Sequence, residues 1–247
     1  MILLYLLLAV LSIFALYVAF LFLCSLFVDT SREYTRHSLF YRSLLNGATG
    51  LGLRILRIHV HVTGIEKVPW DTRLLFVGNH RSNFDPIITW YIFRDWKIAY
   101  LSKEENFHIP IFGRFIRRCC FMAIDREDAR AALKTINNAA RLLQKGEVAV
   151  GVYPEGTRSK EGILLPFHNG VLKIAQKAQA PIVVLSLVGT EKIAKNVPLR
   201  PSHVYLDVVE VIPADQVCQS TSRALGEEIY QHLDQQINQT EEKGVHR

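Results

Sequence analysis

Charge is absent from a long opening stretch: Met1 to Val28 contains no Asp, Glu, Lys or Arg. A cleavable export signal places basic residues before a shorter apolar core, and nothing basic precedes this run. About 20 apolar residues are enough to cross a bilayer's hydrocarbon, so the segment is expected to be a retained membrane anchor. Cysteine is also scarce. Of 247 residues only Cys24, Cys119, Cys120 and Cys218 are cysteines, at spacings that fit neither a disulfide framework nor a zinc site. Reduced thiols in a cytoplasmic domain are the expectation. No nucleic-acid-binding motif is visible, and the basic residues are scattered rather than gathered on one recognition helix. The formal charge of +6 therefore points to an anionic membrane surface or a phosphorylated substrate. No internal repeat, low-complexity segment or Gly-x-Ser-x-Gly elbow occurs.

Arg32, Arg36, Arg42, Arg54 and Arg57 follow the apolar run, which by the positive-inside bias puts the bulk of the protein in the cytoplasm. Asp29-Thr-Ser-Arg-Glu marks a break and helix restart, with Asp29 or Ser31 as cap. Leu39, Phe40, Leu44, Leu45, Leu51, Leu53 and Leu56 then recur at loosely helical spacing. That pattern fits either an amphipathic helix at the membrane interface or a helix packed on the soluble domain.

From Ile58 the period becomes two. Ile58, Val60 and Val62 alternate with His59 and His61, as in a half-exposed strand. The two histidines are expected to face solvent rather than to hold a metal, and no metal or cofactor is expected elsewhere. Further strands are predicted at Leu74–Gly78, Lys97–Leu101, Cys120–Ile124, Val148–Tyr153, Pro181–Val188 and Val204–Ile212. Helices are predicted at Pro86–Arg94, with Asp85 as N-cap, at Glu127–Lys145, closed by Gly146, and at Val171–Ala178. The tail from Thr221 reads as a polar helix that frays. Strands alternating with helices indicate an α/β fold: a central, mostly buried sheet flanked by helices. With a two-helix membrane anchor in front, the expected division is an anchoring region at 1–57 and a catalytic domain at 58–247.

Three clusters lie in loops at strand ends, where α/β folds place reactive groups. In Asn79-His80-Arg81-Ser82-Asn83-Phe84-Asp85, the Asp85 carboxylate can return to the His80 ring and hold one tautomer, leaving the other nitrogen as a general base. In Tyr153-Pro154-Glu155-Gly156-Thr157-Arg158-Ser159, the glycine allows a close turn and Arg158 offers a bidentate grip on phosphate. Glu155 suits a polyol or orients that arginine. In the third cluster, Ile124-Asp125-Arg126 ends a strand, and Lys103 adds a second cation.

In this order and spacing the residues resemble the glycerolipid acyltransferases. Asn79–Asp85 looks like that family's His-x4-Asp block, Ile124–Arg126 its second, Tyr153–Ser159 its third, and Ala180-Pro181-Ile182-Val183 its fourth. The nearest branch is 1-acylglycerol-3-phosphate acyltransferase, and the resemblance covers about residues 60 to 215. It implies transfer of a fatty acyl group from acyl-CoA or acyl-carrier protein to the sn-2 hydroxyl of a lysophosphatidic acid, giving phosphatidic acid. The acceptor oxygen attacks the thioester directly, with His80 as base and Asp85 orienting it. Glu155, Gly156, Thr157, Arg158 and Arg126 would line the glycerol-phosphate site, with Lys103 and Arg81 as further candidates. Pro181 would shape the acyl-side wall, and a backbone N–H near His80 would receive the oxyanion. The partners implied are the donor, the lysophospholipid acceptor and membrane lipid, and not nucleic acid. Tyr153 stands where many members carry phenylalanine. Two other readings remain: a family member using glycerol 3-phosphate or another lysolipid, and a thioesterase or lipase with Ser82 as nucleophile.

Overall fold

The computed structural model describes residues 1–71, 73–159 and 162–245. In chain order its elements are α1 (Ile2–Leu26), α2 (Leu39–Ile55), β1 (Ile58–Thr63), β2 (Leu75–Gly78), α3 (Phe84–Ile92), β3 (Ala99–Ser102), α4 (Phe112–Arg118), β4 (Met122–Ala123), α5 (Ala129–Gln144), β5 (Val150–Val152), α6 (Lys173–Ala178), β6 (Ile182–Val188), α7 (Ile193–Asn196), β7 (Ser202–Ile212), α8 (Ala214–Gln219) and α9 (Ser222–Val245). The seven strands form one sheet in the order β1-β7-β6-β2-β5-β3-β4. Five of them, β6, β2, β5, β3 and β4, run parallel, whereas β7 is antiparallel to β6 and β1 is parallel to β7. All five parallel strands therefore release the chain at the same edge of the sheet. β4 is shorter than the predicted Cys120–Ile124 because Cys120 takes a left-handed φ of 64°, which an extended strand does not admit.

The sheet is buried on both faces, which is why β6 reads Ile-Val-Val-Leu-Ser-Leu-Val without polar alternation and is buried throughout. On one face Leu75, Val77, Val150, Val152, Ile182 and Val184 pack against α5, α6, α8 and α9. On the other, Leu74, Phe76, Ala149, Val183 and Leu185 meet Trp90, Phe93 and Trp96, from α3 and the turn after it. The C-terminal helix is not the fraying tail that its polar composition suggested. Leu225, Ile229, Leu233 and Ile237 recur every four residues, and each is buried on the sheet. A single narrow stripe suffices to dock a helix that is otherwise polar.

α1 is, among the described residues, the one helix long and apolar enough to cross a membrane, and its side chains are almost all exposed. The expected pair of anchoring helices is thus a single apolar helix. α2 packs on the domain through Tyr41, Arg42, Gly50 and Leu53. The Arg42 guanidinium lies 4.4 Å over the Trp90 ring and donates to the carbonyls of Ile98 and Cys119 at 3.2 and 3.3 Å. It is therefore not one of the free flanking charges. Gly50 permits this crossing, since a Cβ there would stand 2.7 Å from the Tyr91 ring. The opposite side of α2 exposes Leu39, Phe40, Leu51 and Ile55, so of the two roles its sequence pattern allowed the structure shows the packing on the domain.

Docking of α9 leads to a stability prediction. Leu233→Ala should cost about 3 kcal/mol, the usual loss for a fully buried leucine. Thermal unfolding of the full chain in neutral detergent should show a midpoint lower by several degrees. A change within about 0.5 kcal/mol, typical of surface substitutions, would mean that the helix is not docked.

Candidate active site

β2 ends at Gly78, and the Asn79 side chain continues its ladder. Asn79 Nδ2 donates to the Leu187 carbonyl at 2.9 Å, and Oδ1 accepts from the Leu187 N–H at 2.7 Å. The main chain is thereby free to turn, and it turns around one buried carboxylate. Asp85, 0% exposed, accepts at Oδ2 from His80 Nδ1 (2.8 Å), the Arg81 N–H (2.6 Å) and the Ser82 N–H (2.7 Å). Asp85 was expected to cap α3. The cap position belongs instead to Asn83, without a side-chain bond, and Asp85 points back from the first turn. Nδ1 facing a carboxylate carries its proton there, which leaves Nε2 as the acceptor. Nε2 has no partner among the described residues, and the His80 side chain is 15% exposed.

The imidazole rests on a stack of aromatic rings. Tyr153 lies 4.5 Å below it at an interplanar angle of 23°, and Tyr100 stacks on Tyr153 at 5.9 Å. Both phenols bond to Thr89 Oγ1, at 3.0 and 2.6 Å, and that hydroxyl donates to the Asp85 carbonyl at 2.8 Å. Burial raises both phenol pKa values, so the hydroxyls remain neutral donors. Gly151 makes room for this floor: a Cβ there would sit 2.4 Å from the Tyr100 ring. Sequence reading did not find Thr89 or Tyr100, which stand outside the motif-bearing loops.

The loop after β5 brackets His80 from the other side. His80 N–H donates to Glu155 Oε1 at 2.6 Å, and the Ser159 N–H donates to the His80 carbonyl at 2.8 Å. Glu155 Oε2 accepts from the Leu165 N–H at 3.0 Å. Both carboxylate oxygens thus hold main chain rather than facing outward. Burial raises the Glu155 pKa, and the two N–H donors work against that rise. Gly156 sits at φ +68°, where a Cβ would meet His168 Cδ2 at 2.9 Å and Arg126 Cδ at 3.8 Å. Gly156, Arg126 and His168 therefore converge, and His168 was not anticipated. Thr157 and Arg158 are exposed between the two tied residues, and Lys103 follows β3 on the same edge. Arg126, Arg158 and Lys103 make no side-chain hydrogen bond or ion pair among the described residues.

Other expected contributors lie elsewhere. Arg81 turns inward with its side chain 3% exposed, bonded to Glu241 at 2.6 Å and the Gly162 carbonyl at 2.7 Å, with Glu191 at 3.8 Å. It ties the loop to the end of α9 instead of facing a substrate. Pro181 precedes β6 at the opposite end of the sheet, where its carbonyl accepts from the Leu75 N–H. At about 3.3 Å per residue along β2, that is well over a dozen ångströms from His80, so Pro181 does not stand beside the catalytic pair. The N–H groups of His80, Arg81 and Ser82 are already committed to Glu155 and Asp85, so none of these three serves as an oxyanion donor. Ser82 Oγ accepts from the Phe84 N–H at 3.2 Å and does not bond to His80. His61 Nε2 lies 3.0 Å from His203 Nδ1, on the exposed edge formed by β1 and β7, so a third histidine does stand beside His59 and His61. Glu210, Glu228 and His232 bring one ligand atom each within 4.8 Å. Both groups lie away from His80, and His232 is already paired with Glu210.

Glu155→Gln tests the bracket. The amide has one acceptor and two donors, so at least one main-chain N–H meets the wrong group, a loss of about 1–3 kcal/mol. Hydrogen exchange at the His80 and Leu165 amides should speed up while the rest of the sheet stays protected. Unchanged exchange at both would remove Glu155 from the bracket.

Residues 59–188, more than half of the chain, match the acyltransferase family. The chain is 33% identical over 174 residues to a 1-acyl-sn-glycerol-3-phosphate acyltransferase of Chlamydomonas reinhardtii, covering 67% of this chain and 52% of that protein. It is 26% identical over 171 residues to one of Borreliella burgdorferi, covering 68% of each. The chain spans about half or less of the length of several of the curated relatives it matches. In structure it resembles the 1-acyl-sn-glycerophosphate (LPA) acyltransferase PlsC of Thermotoga maritima, with a TM-score of 0.70 and 23% identity, over 92% of this chain and 89% of that one. That likeness establishes the fold. The match over residues 59–188 establishes the lineage: the chain belongs to the acyltransferase family.

Proposed function

We propose that the protein transfers a fatty acyl group from acyl-CoA or acyl-carrier protein to the sn-2 hydroxyl of 1-acylglycerol 3-phosphate, giving phosphatidic acid. The observation that carries this reading is the His80–Asp85 pair at the sheet edge, with Nε2 and the side chains of Arg126, Arg158 and Lys103 on the same edge without a hydrogen-bond or ion-pair partner among the described residues. In the reaction, His80 Nε2 takes the acceptor hydroxyl proton as that oxygen attacks the thioester carbonyl. The C–S bond breaks as the tetrahedral species collapses, and the imidazolium returns its proton to the leaving thiolate. Asp85 holds the ring and favours the transient positive charge. Arg158 and Arg126 grip the phosphate, with Lys103 beside them. Gly156 and Thr157 provide close backbone approach, and Glu155 keeps this loop against His80. Ser82 is engaged by the Phe84 N–H, which favours direct transfer over an acyl-enzyme.

The same proposal seats the domain against a bilayer. α1 is the anchor, and α2, at the seam of the 1–57 and 58–247 regions, lays its exposed apolar side on the interface. The arginines around Arg32 and Arg36 favour a cytoplasmic catalytic domain. Glycerol 3-phosphate or another lysolipid as acceptor is the alternative, and a purified-enzyme assay offering several acceptors to one donor separates them.

His80→Ala should lower turnover by about 10²- to 10⁴-fold with acceptor binding retained. Turnover within a few-fold of the parent protein would exclude His80 as base. Arg158→Lys should raise the acceptor KM and lower kcat/KM by tens to hundreds of times, because a point charge does not replace the fork of a desolvated guanidinium. Unchanged acceptor kinetics would take Arg158 out of the phosphate site.

A further inference from the structure

A cavity of about 410 Å³ opens between the end of α1 and α4, lined by Phe22, Ser25, Thr30, His108, Arg114 and Arg117 with apolar neighbours. No element of the chemistry above uses it. Its position follows from how α1 is fastened to the domain. Leu21, Val28, Tyr41 and Phe115 form a small separate core there. Tyr41 Oη donates to the Cys24 carbonyl at 3.0 Å, and Arg114 donates to the Ser25 carbonyl at 3.1 Å. The last turn of the apolar helix is therefore held against the domain, and the cavity lies beside that turn, where hydrocarbon gives way to headgroups. Its wall also includes the Ile109–Ile111 segment, and Ile109 is exposed.

The lining chemistry is cationic on one side and apolar on the other. Arg117 lies over the Phe107 ring at 4.9 Å, and its Nε is buried without a hydrogen-bond partner among the described residues. The acid facing this group is Glu104, exposed, 3.5 Å from His108 and 4.0 Å from Arg117. It is one carboxylate against two guanidinium groups and an imidazole.

We propose that this cavity holds the phosphate of an anionic phospholipid of the bilayer. Arg114 and Arg117 meet the headgroup, while Phe22 and Ile109 meet the glycerol and the upper acyl chain. The bound lipid fixes the height of the sheet edge over the membrane. A phosphate of the acyl donor shares this chemistry, but one wall of the cavity is the membrane helix itself, which favours the lipid. The proposal rests on reading α1 as membrane-embedded.

The test uses the full chain in neutral-detergent micelles, without turnover, followed by thermal unfolding. Phosphatidylglycerol should raise the midpoint saturably, whereas phosphatidylcholine and inorganic phosphate at equal concentration should not, and any rise with coenzyme A, which the donor site accounts for, should be the same with and without these two arginines. Removing both charges with Arg114→Gln and Arg117→Gln should weaken the phosphatidylglycerol effect about thirtyfold, from roughly a fivefold factor per basic residue near an anionic surface. Arg114→Lys with Arg117→Lys should keep most of it, which guards against a Gln variant that merely fails to fold. Arg158→Gln should keep all of it, which separates this cavity from the acceptor site. An equal response in the parent and the double Gln variant overturns the proposal, as does stabilisation by coenzyme A that depends on these arginines. Flotation of each variant with vesicles reports on the α1 anchor separately, and acyl transfer reports on the reaction separately.

Discussion

One oxygen of Asp85 organises the site. It is buried in the first turn of α3 and accepts three hydrogen bonds, from the His80 ring and from two consecutive main-chain N–H groups. The short spacing from His80 to Asp85 follows from this arrangement, since the loop has to curl around a single acceptor. The same oxygen sets the tautomer of His80 and so decides which nitrogen is available. A carboxylate without bulk water to solvate it is costly unless donors surround it; here the turn supplies three to Oδ2, while Oδ1 is buried without a partner among the described residues.

Around that turn the fold adds restraints from separate strands. Asn79 locks the exit of β2 to β6, Glu155 and Ser159 lock the loop after β5 to both ends of His80, and Tyr153 supports the ring from below. Arg81 completes the frame by reaching the last turns of α9. The docked C-terminal helix is thus connected to the site by a buried guanidinium, although α9 packs chiefly on the far face of the sheet. The cations at the strand ends, Lys103, Arg126 and Arg158, have no side-chain hydrogen bond or ion pair among the described residues. In the proposed reaction, the tied groups hold the proton acceptor while these cations take up the phosphate.

The sequence made the order of strands and helices legible because period-two and continuous apolar runs survive in the sheet, as in β1 and β6. It also carried the His80–Asp85 and Glu155–Arg158 clusters, since each occupies one short loop. What it concealed came from contacts between distant segments. The direction in which Arg81 points depends on Glu241, Gly162 and Glu191. The site's floor joins Thr89, Tyr100 and Tyr153 from α3, β3 and the end of β5. Pro181 is assigned to the acyl side by the family resemblance alone, and where it stands relative to His80, before β6 at the other end of the sheet, was not readable from its block. The polar majority of α9 hid a one-residue-in-four stripe, and α2 divided its apolar residues between two faces that a linear pattern does not separate.

The coupling between His80 and Asp85 is the most direct test. If Asp85 acts through the imidazole, Asp85→Asn slows transfer severely in the parent protein but adds nothing to His80→Ala. The His80→Ala protein and the double variant should then have the same residual kcat. A double variant slower than His80→Ala by the full factor of Asp85→Asn alone would show two independent effects. The carboxylate would then be holding the loop rather than serving the base.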